Sequence, residues 1–160
     1  MSARKGPAAS MATVGFPRMH KEIGERRVFL PEFVGAVARL GVTVLLERGY
    51  GNELQLPARD YLESGPPGSV CFVSREESFV ANLVTVLRPP EREEFDLLRE
   101  GSCLLSMLHF PTRSWRVAEL TARGVDAVAM DQIVDDDGRR LVENLDAVAW
   151  NGVETAFDVL

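Results

Sequence analysis

Apolar positions along this chain recur with two alternating periods. Short runs read as strands: "TVGF" (13–16), "VTVLLE" (42–47), "VCFV" (70–73), "LVTVL" (83–87), "SCLLSMLH" (102–109) and "DAVAMD". Their near-continuous apolar character, rich in β-branched residues, suits a sheet covered on both faces. Between them the apolar positions return every three to four residues, as on helices. "PEFVGAVARLG" (31–41) places Phe33, Val34, Val37, Ala38 and Leu40 on one stripe. Pro31 opens that helix and Gly41 follows it, which are the residues favoured just inside a helix start and just past its end.

Four more segments read the same way. "ARDYLESG" (58–65) is a short helix ended by glycine, and "REESFVANL" (75–83) is one or two turns. "EREEFDLLREG" (91–101) has its acids in the first turns, where the helix dipole favours negative charge. "TRSWRVAELTARG" (112–124) turns Trp115, Val117, Leu120 and its alanines inward. Strands alternating with helices predict βαβ units built on a parallel sheet. "DDDGRR" (135–140) is an exposed turn, with Gly138 suited to positive φ. The last segment, 143–160, is amphipathic through Leu145, Val148, Ala149, Val153, Ala156, Phe157 and Leu160, and Gly152 weakens it locally. It runs uncapped to the final residue, which predicts a linker or docking helix carrying Trp150 and Phe157.

Composition narrows the class. A chain of 160 residues is one domain with one sizeable core. Its formal net charge of -6 argues against a nucleic-acid footprint. No apolar stretch is long enough to span a bilayer. The first residues, "MSARKGPAASMATVGF", lack the apolar centre of a signal peptide, so 1–12 is expected to be a disordered leader before a domain at 13–142. Cys71 and Cys103 lie in apolar runs, which predicts buried reduced thiols and a cytoplasmic location.

Ligands of parallel α/β sheets bind beyond the carboxyl ends of the strands. Pro17, Arg18, His20, Lys21 and "ERRV" (25–28) follow the first strand, Arg88 follows "LVTVL", and His109 follows "SCLLSML". Arg27, Arg88 and His109 are therefore the candidates for one rim. Arginines there suit a carboxylate through bidentate hydrogen bonds. A histidine can orient a carbonyl or give it a proton. Each also has a plainer reading: His109 as a surface residue at a strand end, Arg88 as a loop charge, Arg26 and Arg27 as a solvated pair. The glycines of "ERGYGNEL" (47–54) match neither G-x-G-x-x-G nor G-x-x-x-x-G-K-[ST], so no nucleotide fingerprint is present. C-x-x-C, H-E-x-x-H and G-x-S-x-G are missing as well, which leaves a metal site or a nucleophile elbow without support.

Two long stretches carry a resemblance. "VGFPRMHKEIGERRVFLPEFVGAVARLGVTVLLERGYG" resembles the opening of the alanine dehydrogenase and pyridine nucleotide transhydrogenase N-terminal domain. "ANLVTVLRPPEREEFDLLREGSCLLSMLHFPTR" is similar to that family's strand, basic residue and proline, acidic helix, and strand ending in histidine. The likeness covers residues 13–133, and "HKEIGERR" is reminiscent of the saccharopine dehydrogenase and carboxyethylornithine synthase branch. It implies a Rossmann-like or flavodoxin-like three-layer α/β sandwich with a mostly parallel sheet and helices on both faces.

The resemblance also implies roles. The family's substrate-carboxylate arginine falls on Arg27, its active-site lysine on Arg88, and its histidine near the substrate carbonyl on His109. Arginine at 88 keeps the charge but cannot trade protons near neutral pH. The family's second, Rossmann-type half is not in this sequence. The expectation is thus the substrate domain of an NAD(P)-dependent amino-acid or opine-type dehydrogenase, working with a separate Rossmann-domain chain on a small 2-oxo acid or amino acid. NAD(P)(H) would come only through that partner. The alternatives are a binding module for a carboxylated metabolite and a docking subunit that forms a homo-oligomer.

Overall fold

The computed structural model describes residues 12–19 and 28–142. A six-stranded, all-parallel sheet organises them: β1 (Thr13–Phe16), β2 (Thr43–Glu47), β3 (Val70–Val73), β4 (Leu83–Thr85), β5 (Cys103–Ser106) and β6 (Asp126–Ala129). The spatial order is β3-β2-β1-β4-β5-β6. The helices are α1 (Pro31–Ala38), α2 (Ala58–Leu62), α3 (Arg75–Phe79) and α4 (Trp115–Ala122). The chain steps outward from β1 to β3, returns to the other side of β1, and steps outward again. Right-handed crossovers then place α1 and α2 on one face and the later helices on the other.

Two cores follow from this. Val34 of α1 and Tyr61 of α2 pack with Phe16, Val44 and Leu46 on one side. Phe79 of α3 and Leu120 of α4 pack with Val84, Phe95 and Leu104 on the other. The connections after β1 and β4 leave in opposite directions, so a crevice opens between these neighbours at their carboxyl ends.

Local sequence sets that crevice. Ser74 caps α3: its Oγ accepts from the Glu77 N–H at 3.2 Å, and the Glu77 carboxylate accepts from the Ser74 N–H at 2.8 Å. α3 then lies so close over β1 that a Cβ on Gly15 would fall 1.8 Å from the Ser78 carbonyl oxygen. Near the start of α1, the Tyr50 hydroxyl accepts from the Phe29 N–H and the Tyr61 hydroxyl donates to the Phe29 carbonyl, both at 3.0 Å. Burial pushes the Tyr61 hydroxyl pKa up to about 12, so it stays a donor.

Several expectations need correction. Residues 91–101 do not form an α-helix: a 3-10 helix spans Arg92–Leu97. Its three-residue turn sets Phe95 and Leu98 above one another and buries both. The strand read through His109 stops at Ser106. α4 buries Leu120, but Val117 and the alanines Ala118 and Ala122 are exposed, and Trp115 is 38% exposed, because the indole stacks on Phe95 at the edge of the core (centroids 6.1 Å apart). Cys71 and Cys103 are half-buried rather than buried. They lie on β3 and β5, four strand positions apart, about 19 Å at ordinary strand spacing and too far for a disulfide. Gly138 does take positive φ, at 80°. The leader, Arg27 and the helix expected at 143–160 lie outside the described residues.

Candidate functional site

A cavity of about 450 Å³ opens at the switch between β1 and β4. That is within the range of small-molecule pockets, about 300–1,000 Å³. Its cationic lining comes from five arginines, Arg18, Arg75, Arg88, Arg92 and Arg116, against two carboxylates, Glu91 and Glu94. Met19, Phe79, Val86 and Trp115 supply apolar wall.

Arg75 is the structural centre of this rim. Its Nη1 donates to Glu47 Oε2 at the end of β2 (2.6 Å) and to the Arg18 carbonyl after β1 (2.9 Å). Its Nη2 donates to Glu94 Oε1 on the 3-10 helix. The Arg18 N–H donates to the same Glu47 oxygen at 2.7 Å. Burial alone would lower the Arg75 pKa, but the two glutamates outweigh that and raise it above the usual arginine value. One guanidinium thus fixes the ends of β1 and β2 and the far wall together.

The Arg88 N–H donates to the Met19 Sδ at 3.0 Å, which seats the residue across the crevice from β1. Trp115 is flanked by Arg92 and Arg116, whose guanidinium carbons lie 5.5 and 5.4 Å from its ring centre. Arg92 also pairs with Glu119. Arg116 Nη1 donates to the Leu108 carbonyl at 2.7 Å. Burial, then the neighbouring Arg113, lowers the Arg116 pKa below the usual arginine value.

His109 does not line the cavity. It sits beside it, one residue beyond the carbonyl that holds Arg116. Its backbone is left-handed, with φ at 50°. Asp131 holds it there: the carboxylate accepts the His109 N–H at 3.1 Å, and its other oxygen lies 3.5 Å from Nδ1. Asp131 is 2% exposed and the imidazole 49%. Burial pushes the Asp131 carboxyl up, yet hydrogen bonds from His109 and Gln132 outweigh it and hold its pKa below the ordinary value. With Nδ1 facing Asp131, Nε2 is the nitrogen left for another partner.

Of the residues singled out from sequence, Arg88 and Arg18 reach the cavity, His109 flanks it, and Arg27 lies outside the described residues. Sequence reading missed Arg75, Arg116 and Asp131. Two of these had a signal. The S-R-E-E start of α3 puts Arg75 in the first turn after β3. Parallel pairing of Ser106 with Ala129 brings residues just beyond β5 and β6, His109 and Asp131, side by side. Arg116 had none, since one arginine in an amphipathic helix reads as solvated.

Comparison with known proteins gives consistent matches. Residues 16–149 match the family described as alanine dehydrogenase/PNT, N-terminal domain. An alanine dehydrogenase of Bilophila wadsworthia is 26% identical over 125 residues, 78% of this chain and 32% of that protein. The NAD(P) transhydrogenase subunit alpha of Haemophilus influenzae is 24% identical over 120 residues, 75% of this chain and 23% of that protein. Among solved structures, an L-alanine dehydrogenase superposes with a TM-score of 0.66 at 22% identity, covering 79% of this chain and 34% of its own. A transhydrogenase from Sinorhizobium meliloti gives 0.63 at 20% identity, covering 76% and 35%. The chain therefore spans about a third or less of each relative. The structural likenesses show a shared fold.

Proposed function

Because this chain belongs to the alanine dehydrogenase/PNT N-terminal domain family, we propose that it is the substrate-binding part of an NAD(P)-dependent amino-acid or opine-type dehydrogenase. The observation that carries this reading is the arginine-lined cavity at the β1/β4 switch, with Arg88 on its rim. A 2-oxo acid enters with its carboxylate on Arg27 and Arg88. Arg88 keeps its charge throughout and draws electron density toward the carbonyl oxygen, but it moves no proton. His109, held by Asp131, hydrogen-bonds the carbonyl or imine through Nε2 and is the acid–base group beside it.

NAD(P)H supplies the hydride for imine reduction, held by a separate Rossmann-domain chain. The sequence has no G-x-G-x-x-G of its own, and the alanine dehydrogenase relative is more than twice as long. The segment 143–160 docks that partner or a second copy of this chain. Mixing the chain with the Rossmann-type product of a neighbouring gene tests the idea. A stable complex that consumes NAD(P)H with a 2-oxo acid and an amine supports it. A complex that never forms, with no nicotinamide-linked activity, removes it.

One observation favours a second reading, a carboxylate-binding module without redox chemistry. Arg88 stands where the resembling family has a lysine. Ligand binding abolished by Arg27→Ala, in a chain that supports no NAD(P)H oxidation with any partner, would select that reading.

A further inference from the structure

The two faces of the sheet are not equally covered. Parallel register sets Leu83, Cys103 and Asp126 in one row across β4, β5 and β6, and Thr85, Leu105 and Val128 in another. Leu83 packs against the core under α1 and α2, so both rows lie on that face. The residues between them, Val84, Leu104 and Ala127, turn to the opposite core.

The α1/α2 face is closed over one half of the sheet. α1 packs on β2 and β3 and α2 on β3, and neither makes a comparable contact with β4, β5 or β6. Burial follows that boundary. On β2, Val44 and Leu46 are fully buried. On β5, Cys103 and Leu105 are only half-buried, and on β6, Val128 is 44% exposed. Among the described residues, Leu105 and Val128 belong to neither core. Leu104, the neighbour of Leu105 on the opposite face, is fully buried, so the exposure is a property of the face and not of the strand. An all-parallel sheet is stable with both faces covered, and here half of one face has no cover among the described helices.

The chain itself carries a candidate cover. Residues 143–160 follow the described residues directly, on the β6 side of the sheet. Their apolar positions Leu145, Val148, Ala149, Val153, Ala156 and Leu160 recur at helical spacing. As a helix the segment would be about 27 Å long and about 10 Å across, a match for the two strand spacings of about 10 Å between β4 and β6. α4 already packs on β6 from the opposite face, through the core that holds Leu120. The uncovered face is the one left within reach.

We propose that residues 143–160 form a helix that closes this face, with its apolar stripe laid over Cys103, Leu105 and Val128 of the same chain. Trp150 falls at the margin of the stripe and is left for contact with a partner. The cavity lies against the other core, through Phe79 and Val86, so the inference does not depend on what the cavity binds.

Cys103 reports on the face, and Cys71 is the second thiol of the chain. In the full chain carrying Cys71→Ala and Ala149→Cys, treatment with a short bismaleimide is expected to bridge Cys103 to position 149 within one chain, as read by digestion and mass spectrometry. Covalent dimers in place of that bridge would put the segment of a second copy on the face and overturn the proposal. No bridge of either kind overturns it as well. In a second measurement, the Cys71→Ala chain is treated with Ellman's reagent, with and without Val153→Glu. Breaking the stripe should speed the reaction of Cys103 about tenfold or more, because thiol reactivity follows exposure. Equal rates mean that the segment does not shield Cys103, and contradict the proposal. The bridge decides the matter even if Val153→Glu does not fold.

Discussion

Arg75 holds three segments at once, so its loss is felt beyond one ion pair. Removing one partner of a fully buried pair costs about 3–5 kcal/mol. The Arg75 side chain is 24% exposed, and solvent screening reduces the figure. Arg75→Met is expected to lower unfolding stability by about 1–3 kcal/mol in urea titrations. Asp131 acts on His109 in a way that pH can read. Its native pKa lies below the ordinary 3.8, so its stabilising contribution is complete above that value and is lost as pH falls through the native one. Asp131→Asn should be less stable than wild type by about 1 kcal/mol at neutral pH. The gap should close as pH drops below about 4. Urea midpoints measured across that range check it. On the proposed function, Arg88→Met should cut kcat/KM of a chain reconstituted with its Rossmann-domain partner about 100-fold or more, the effect of losing one donor to a developing oxyanion.

At the scale of elements, the close approach of α3 to β1 places Arg75 over the crevice, and Gly15 permits it. Gly15→Ala should destabilise by about 1–3 kcal/mol or more, because the added methyl meets a backbone carbonyl that cannot step aside. Thermal unfolding gives the check. Much of this level was readable from the chain. Period-two and continuous apolar runs placed all six strands, since buried parallel strands have few polar residues. Pro31 and Gly41 bracketed α1 for reasons local to those residues. What escaped was tertiary. Phe95 and Leu98 fit an α-helix as well as a 3-10 helix until the depth of the core decides between them. Trp115 reads as inward because it is large and aromatic, yet the edge of the sheet leaves it half covered, where it stacks with two arginines. His109 belongs on the rim by strand position alone, but its left-handed turn depends on Asp131, contributed by the neighbouring strand's end.

For the molecule as a whole, the strand order puts the ends of β1 and β4 together, and the cationic side chains gathered there come from four separate segments. That is why the site was only partly visible in sequence. Arg88 follows a strand, whereas Arg75, Arg92 and Arg116 converge only once the right-handed crossovers stack their helices on one face. A chain with net charge -6 overall thus presents a locally cationic cavity, which favours carboxylate ligands. The central claim, that a 2-oxo acid binds at the β1/β4 rim, is tested most directly by amide and indole chemical-shift mapping during titration with 2-oxoglutarate. Saturable shifts confined to Arg18, Met19, Arg88, the Trp115 indole and the residues around His109 are the result the account predicts. Saturation without shifts at those positions, or no response at millimolar ligand, would contradict it.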